Sequence, residues 1–178
     1  MSEQPAKYNR SFSGMIGAMV VLVLVVLAFV AFRAVNRNDA TVEIEAVDYA
    51  GPADYAQDTA DFTVLVPDEL PDGWKATSVR FDQGRDQTWH LGVLTDDEKY
   101  IGLEQADRSV GDLVAAFVGE ETEEAGEVDV DGTAWQLFRD TADDDLALVT
   151  EDSDVVTVVV GSVDEDTLTA YAASLTTP

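Results

Sequence analysis

The chain has 178 residues, no cysteine, one histidine, and 36 acidic side chains against ten basic ones, a formal net charge of −26. That length fits one domain with something attached, at about 100–200 residues per domain. The acidic excess excludes nucleic-acid binding, which needs Lys and Arg to meet phosphate. The missing cysteines exclude disulfides, thiol catalysis and thiolate metal sites. A lone His90 excludes any site built from two imidazoles of this chain.

The first element is apolar. Gly14 to Phe32 is a nineteen-residue run without a charge. As a helix it is about 28 Å long, close to the roughly 30 Å hydrocarbon core of a bilayer. Lys7 and Arg10 precede it, Arg33 and Arg37 follow it, and Tyr8 and Phe12 sit where interfacial aromatics belong. The run is too long for a cleavable signal peptide and ends without a small-residue cleavage site, so it reads as an uncleaved signal anchor. Two basic residues on each side leave the orientation nearly tied by charge. The weak lean is a short cytoplasmic tail, residues 1–13, with the body extracytoplasmic.

Beyond the span the composition changes. Only two of the 36 acids, but four of the ten bases, fall in the first 40 positions. The acidic field therefore belongs to the body, which it keeps soluble, repels from anionic lipid, and suits to high ionic strength. Residues 33–60 read as a juxtamembrane linker without fixed structure, marked by Gly51-Pro52, and residues 61–178 as an acidic domain.

Within that domain Phe62 to Val66 alternates as a strand ending at Pro67. Leu70-Pro-Asp-Gly73 is a turn, and Trp74 to Phe81 a strand. Thr88–Leu94 and Lys99–Gln105 are strands joined by a four-residue loop, Thr95–Glu98. That loop length sets His90 opposite Leu103 and on one face with Leu94, Ile101 and Leu103. Val110, Leu113, Val114, Phe117 and Val118 then fall on one helical face, with Ser109 as cap and Gly119 as stop. After the acidic stretch Glu120–Glu124 come strands at Gly126–Val130, Ala134–Asp140, Leu146–Thr150 and Val155–Gly161. A last helix runs from an Asp164 cap to Leu175, with Val163 and Leu168 spaced as a hydrophobic staple. The fold class is α+β: a transmembrane helix, then a mostly antiparallel sheet with two helices packed on one face.

Catalytic motifs are scarce. The sequence carries no Gly-x-Ser-x-Gly elbow, Walker pattern or dinucleotide fingerprint, so it offers no catalytic residue and no cofactor. Glu127-Val-Asp129-Val-Asp131-Gly132 resembles the start of an EF-hand loop. Phe138, however, stands where the bidentate Glu belongs, so no metal ligand is assigned. The acidic turns read as solvated surface. Trp74, Trp89, His90 and Trp135 remain as ligand-binding candidates. Core anchoring is the favoured reading for the tryptophans and a hydrogen-bonded structural role for His90.

Several segments together resemble a known family. Leu65-Val-Pro67, Leu70-Pro-Asp-Gly-Trp74, Thr88-Trp-His-Leu-Gly92, Tyr100-Ile-Gly-Leu-Glu-Gln105, Gly132-x-x-Trp135, Val158-Val-Val-Gly161 and Ala172-Ala-Ser-Leu175 are similar to an actinobacterial family, domain-of-unknown-function family 4245. The resemblance spans about residues 14–175. It implies a single-pass envelope protein with its domain outside the membrane, and supplies no functional residues to carry over. The functional expectation is a membrane-anchored extracytoplasmic binding module, held through residues 14–32 and meeting an envelope protein partner. The alternatives are an envelope hydrolase using carboxylates or His90, and a low-affinity calcium-responsive domain.

Overall fold

The structure, a computed structural model, describes residues 12–35 and 44–178. The expected cytoplasmic tail lies outside the described residues except for its last two positions, and so do positions 36–43 of the expected linker. Helix α1 (Phe12–Val35) is continuous and contains the expected span. Its stretch Met15–Phe32 is long and apolar enough to cross a membrane and is unburied within the protein. Apolar side chains such as Met19, Leu24 and Phe29 are exposed on it. With no polar stripe it has no preferred face to bury, which suits a lipid surround. Residues 44–178 make a second compact unit.

That unit begins with α2 (Ala50–Thr59), inside the stretch that reads from the sequence as an unstructured linker. Gly51-Pro52 suggests a loop, yet a proline in the first helical turn breaks no hydrogen bond, because those N–H groups have no partner in the helix. Ala53 and Ala56 face inward and are fully buried. The chain before α2 is also docked, Val47 N–H donating to Ala76 O at 2.8 Å.

Next come β1 (Val66–Pro67), β2 (Lys75–Asp82), β3 (Thr88–Leu94), β4 (Tyr100–Ala106), α3 (Val110–Phe117), β5 (Thr122–Val130), β6 (Thr133–Asp140), β7 (Leu146–Asp152), β8 (Val155–Gly161), α4 (Glu165–Ala173) and β9 (Leu175–Thr176). Strands β2 to β8 form one sheet in the order β2-β3-β4-β8-β7-β6-β5. Every neighbouring pair is antiparallel. The α+β class expected from the sequence is the class observed.

The helices do not share a face. One face carries Trp89, Leu91, Ile101, Leu103, Leu148 and Val159, packed with Ala53 and Ala56 of α2 and Leu168, Tyr171 and Ala172 of α4. The other carries Ala106, Ala147, Val149, Val156, Val158 and Val160 beneath Leu113 and Val114 of α3. The unbroken apolar run of β8 records this: a strand covered on both sides does not alternate. Both helix caps form as the sequence predicts. Ser109 Oγ accepts from Asp112 N–H at 3.2 Å, and Asp164 Oδ1 from Thr167 N–H at 2.9 Å.

Three further expectations change. Of the expected strand 62–66 only Val66 pairs, joined by Pro67 against β9. The acidic stretch after α3 is itself strand, since β5 starts at Thr122 and forms an exposed, glutamate-rich sheet edge with a register shift at Gly126 (φ 137°). The loop between β3 and β4 also takes one residue more than expected. Glu98 sits in the left-handed region (φ 60°), and Thr95 N–H bonds to Lys99 O at 2.9 Å. The ladder therefore pairs Leu94 with Tyr100, Leu91 with Leu103, and His90 with Glu104. A one-residue slip moves every side chain to the other face, so His90 leaves the aliphatic one.

The turn between β6 and β7 gathers four carboxylates. Burial, with the negative charges of Asp143, Asp140 and Asp144, pushes the Asp145 carboxyl above the ordinary aspartate range. Its ionised form is disfavoured in the folded state, so stability is forfeited at neutral pH and regained as pH falls through the raised value. Asp145→Asn is expected to raise Tm at pH 7. The gain should shrink towards zero below about pH 4, where the unfolded aspartate also protonates; thermal melts followed by circular dichroism across that range check it.

Candidate functional site

On the face covered by α2 and α4, a cleft of about 910 Å³ opens between the chain after α2, the start of β6, the β7–β8 hairpin and the end of α4. One wall is the irregular segment Asp61–Leu65. Its backbone is held by side chains rather than by a ladder, which is why an alternating sequence fails to become a strand. Asp61 N–H donates to Gln87 Oε1 at 2.8 Å, and Val64 N–H to Gln57 Oε1 at 2.9 Å. Leu65 is clamped twice: its N–H donates to Gln105 Oε1 at 2.7 Å, and its carbonyl accepts from Trp89 Nε1 at 3.0 Å.

Gln105 forms part of the floor. It is 2% exposed, and its Nε2 donates to Thr157 Oγ1 at 3.1 Å and to Thr63 O at 3.3 Å. Phe62 and Trp135 supply aromatic surface. Asp61, Asp131, Glu151 and Asp152 supply four carboxylates, and among the described residues no basic side chain lines the cleft. Such a space favours a ligand that brings positive charge and an apolar part, since aromatic faces and carboxylates both attract cations.

The four candidate residues do not assemble into one site. Trp135 lines the cleft. Trp89 is fully buried and serves as the peg for Leu65. Trp74 packs on Tyr171, ring centroids 6.3 Å apart and planes 21° off parallel. Burial pushes the Tyr171 hydroxyl far above the ordinary phenol range, and among the described residues that hydroxyl has no hydrogen-bond partner.

His90 lies on the opposite face, bridging three strands. Its Nε2 is 2.8 Å from Ser78 Oγ on β2, and its Nδ1 is bonded to Glu104 Oε1 on β4. A carboxylate only accepts, so Nδ1 carries a proton, and in the neutral ring Nε2 accepts from the Ser78 hydroxyl. Glu104 is 3% exposed, and among the described residues its second oxygen, Oε2, has no partner. The Tyr100 ring lies against Gly92 and Gly102. Burial and the Glu104 charge push the Tyr100 hydroxyl above the ordinary phenol range, while the Arg80 charge opposes them. Sequence reasoning missed Ser78 and Glu104 because they join His90 only through the strand register, and the expected register was one residue off. Among the described residues, no three His, Asp or Glu side chains converge to hold a metal ion.

Comparison with known proteins adds one finding. The family model described as "Protein of unknown function (DUF4245)" matches residues 7–175. No curated protein matches the chain.

Gln105 is the residue on which the cleft wall rests. Gln105→Leu keeps much of the side-chain volume but strands the Leu65 N–H, the Thr63 carbonyl and the Thr157 hydroxyl. The expected loss is about 2–4 kcal/mol, read as a lower urea midpoint with an unchanged m-value.

Proposed function

We propose, from the premise that this chain belongs to the DUF4245 family of proteins of unknown function, that it is a membrane-anchored binding module of the cell envelope. Helix α1 holds it in the bilayer, and residues 44–178 lie on the extracytoplasmic side. The reading is carried by the cleft beside Trp135, a concave space with aromatic walls and convergent polar groups on a rigid sheet, which is the usual form of a binding site. Its all-acidic rim selects a cationic occupant, and the reading takes this as a basic segment of an envelope protein. The body's negative field would speed the approach of such a partner.

In-cell cross-linking of the full-length protein tests this reading. The wild type should capture a reproducible partner, and reversing two rim charges in Glu151→Lys/Asp152→Lys should abolish capture while the protein still folds. An identical set of captured proteins from both would sink it.

Orientation has its own check, because the chain has no native cysteine. Thr177→Cys, at an exposed position, should react with a membrane-impermeant maleimide on intact cells from which any outer barrier has been removed. Labelling only after the membrane is permeabilised would place the domain inside.

A further inference from the structure

We infer that Ser78, His90 and Glu104 form an acyl-transfer site on the sheet face opposite the cleft, with Ser78 as nucleophile and a short-chain ester as substrate. The three side chains stand in the order that activates a serine: hydroxyl to imidazole nitrogen at 2.8 Å, and the other ring nitrogen to a buried carboxylate. Two features of the backbone make room for this order. The register between β2 and β3 shifts between Ala76 and Ser78, a bulge of the kind that re-aims a side chain. Gly92 lies directly beneath the hydroxyl: a Cβ there would stand 2.4 Å from Ser78 Oγ and 3.0 Å from the Tyr100 hydroxyl. Both oxygens therefore crowd one point above a bare strand. Tyr100 is 40% exposed and Ser78 half-buried, so a small molecule can reach that point from solvent.

The reaction balances with these groups and water. Ser78 Oγ attacks the ester carbonyl, forming the Oγ–C bond as its proton passes to His90 Nε2. The carbonyl pair moves onto oxygen, which the Tyr100 O–H faces as donor and the Arg80 charge steadies. On collapse the C–O bond to the alcohol breaks, and the alkoxide takes the proton from Nε2. Water then attacks the acyl-serine, gives its proton to the same nitrogen, and releases the carboxylic acid as Ser78 recovers its hydrogen. Glu104 touches no substrate. It is a positioning residue that holds the Nδ1–H tautomer and offsets the imidazolium charge. The substrate is short and uncharged, because it must reach the trio past Tyr100 and the half-buried Ser78, and the body's negative field repels anions.

The test uses the full chain in detergent micelles, a fluorophosphonate probe and p-nitrophenyl acetate. Mass spectrometry should find one phosphonyl adduct, on Ser78. Ser78→Ala and His90→Ala should abolish it, and Glu104→Gln should slow labelling and ester turnover by about 10²–10⁴-fold. Since His90 is the only histidine, the imidazole N–H proton resonance reads positioning directly. It should lie far downfield in the wild type and in Ser78→Ala, and move upfield in Glu104→Gln. If Glu104→Gln does not fold, Ser78→Ala, which removes a single oxygen, still decides the matter. No adduct on Ser78 in folded wild-type protein, or undiminished labelling in His90→Ala, overturns the inference. The cleft reading stands or falls separately, because its variants lie on the other face.

Discussion

The seam between β4 and β8 is the constraint on which the rest of the molecule depends. The sheet consists of two antiparallel meanders, β2-β3-β4 and β5-β6-β7-β8, and within the sheet they meet only there. Ile101 pairs with Gly161 at one end and Ala106 with Val156 at the other. The fit is close enough that a Cβ at Gly161 would come within 2.5 Å of Tyr100 O. Once the seam forms, Val156, Val158 and Val160 face α3 while Val159 faces the core under α4, so both hydrophobic layers are set by one strand pairing.

Two consecutive residues of that seam are polar and buried, and each organises a different face. Gln105 turns towards α4 and pins the cleft wall with all its amide atoms engaged. Glu104 turns the other way and orders His90, and among the described residues its second oxygen has no partner. A buried amide repays its desolvation when fully bonded, whereas a half-bonded carboxylate does not. The seam thus pins the cleft wall on one face and orders the imidazole on the other.

Much of this was legible in the residues. β3 and β8 have the bounds their apolar runs predict, and Ser109 and Asp164 cap their helices as their spacing to Asp112 and Thr167 requires. The failures have local causes. α2 hid behind Gly51-Pro52, because its buried face is only two alanines. The segment 62–66 alternates like a strand, but Gln57, Gln105 and Trp89 took its backbone groups. One left-handed residue, Glu98, lengthened a hairpin loop and so turned His90 away from the aliphatic face on which the sequence placed it. Ser78 and Glu104 carry no motif; only a correct register brings them to His90. The cleft was equally hidden, as its walls come from five separated stretches and Trp135 alone was a candidate.

The exposed edge at β5 bears on the anchoring proposed for α1. Anchored copies share a two-dimensional surface and meet far more often, and in more uniform orientation, than the same number free in solution. An open strand edge under those conditions invites copies to zip into one continuous sheet. Glu123, Glu124 and Glu127 put like charges on that edge, and the irregularity at Gly126 spoils the straight register such zipping needs. The opposite edge, β2, is partly capped by Val47. Lateral crowding, which would drive an unguarded sheet towards aggregation, would here meet repulsion that strengthens with surface density.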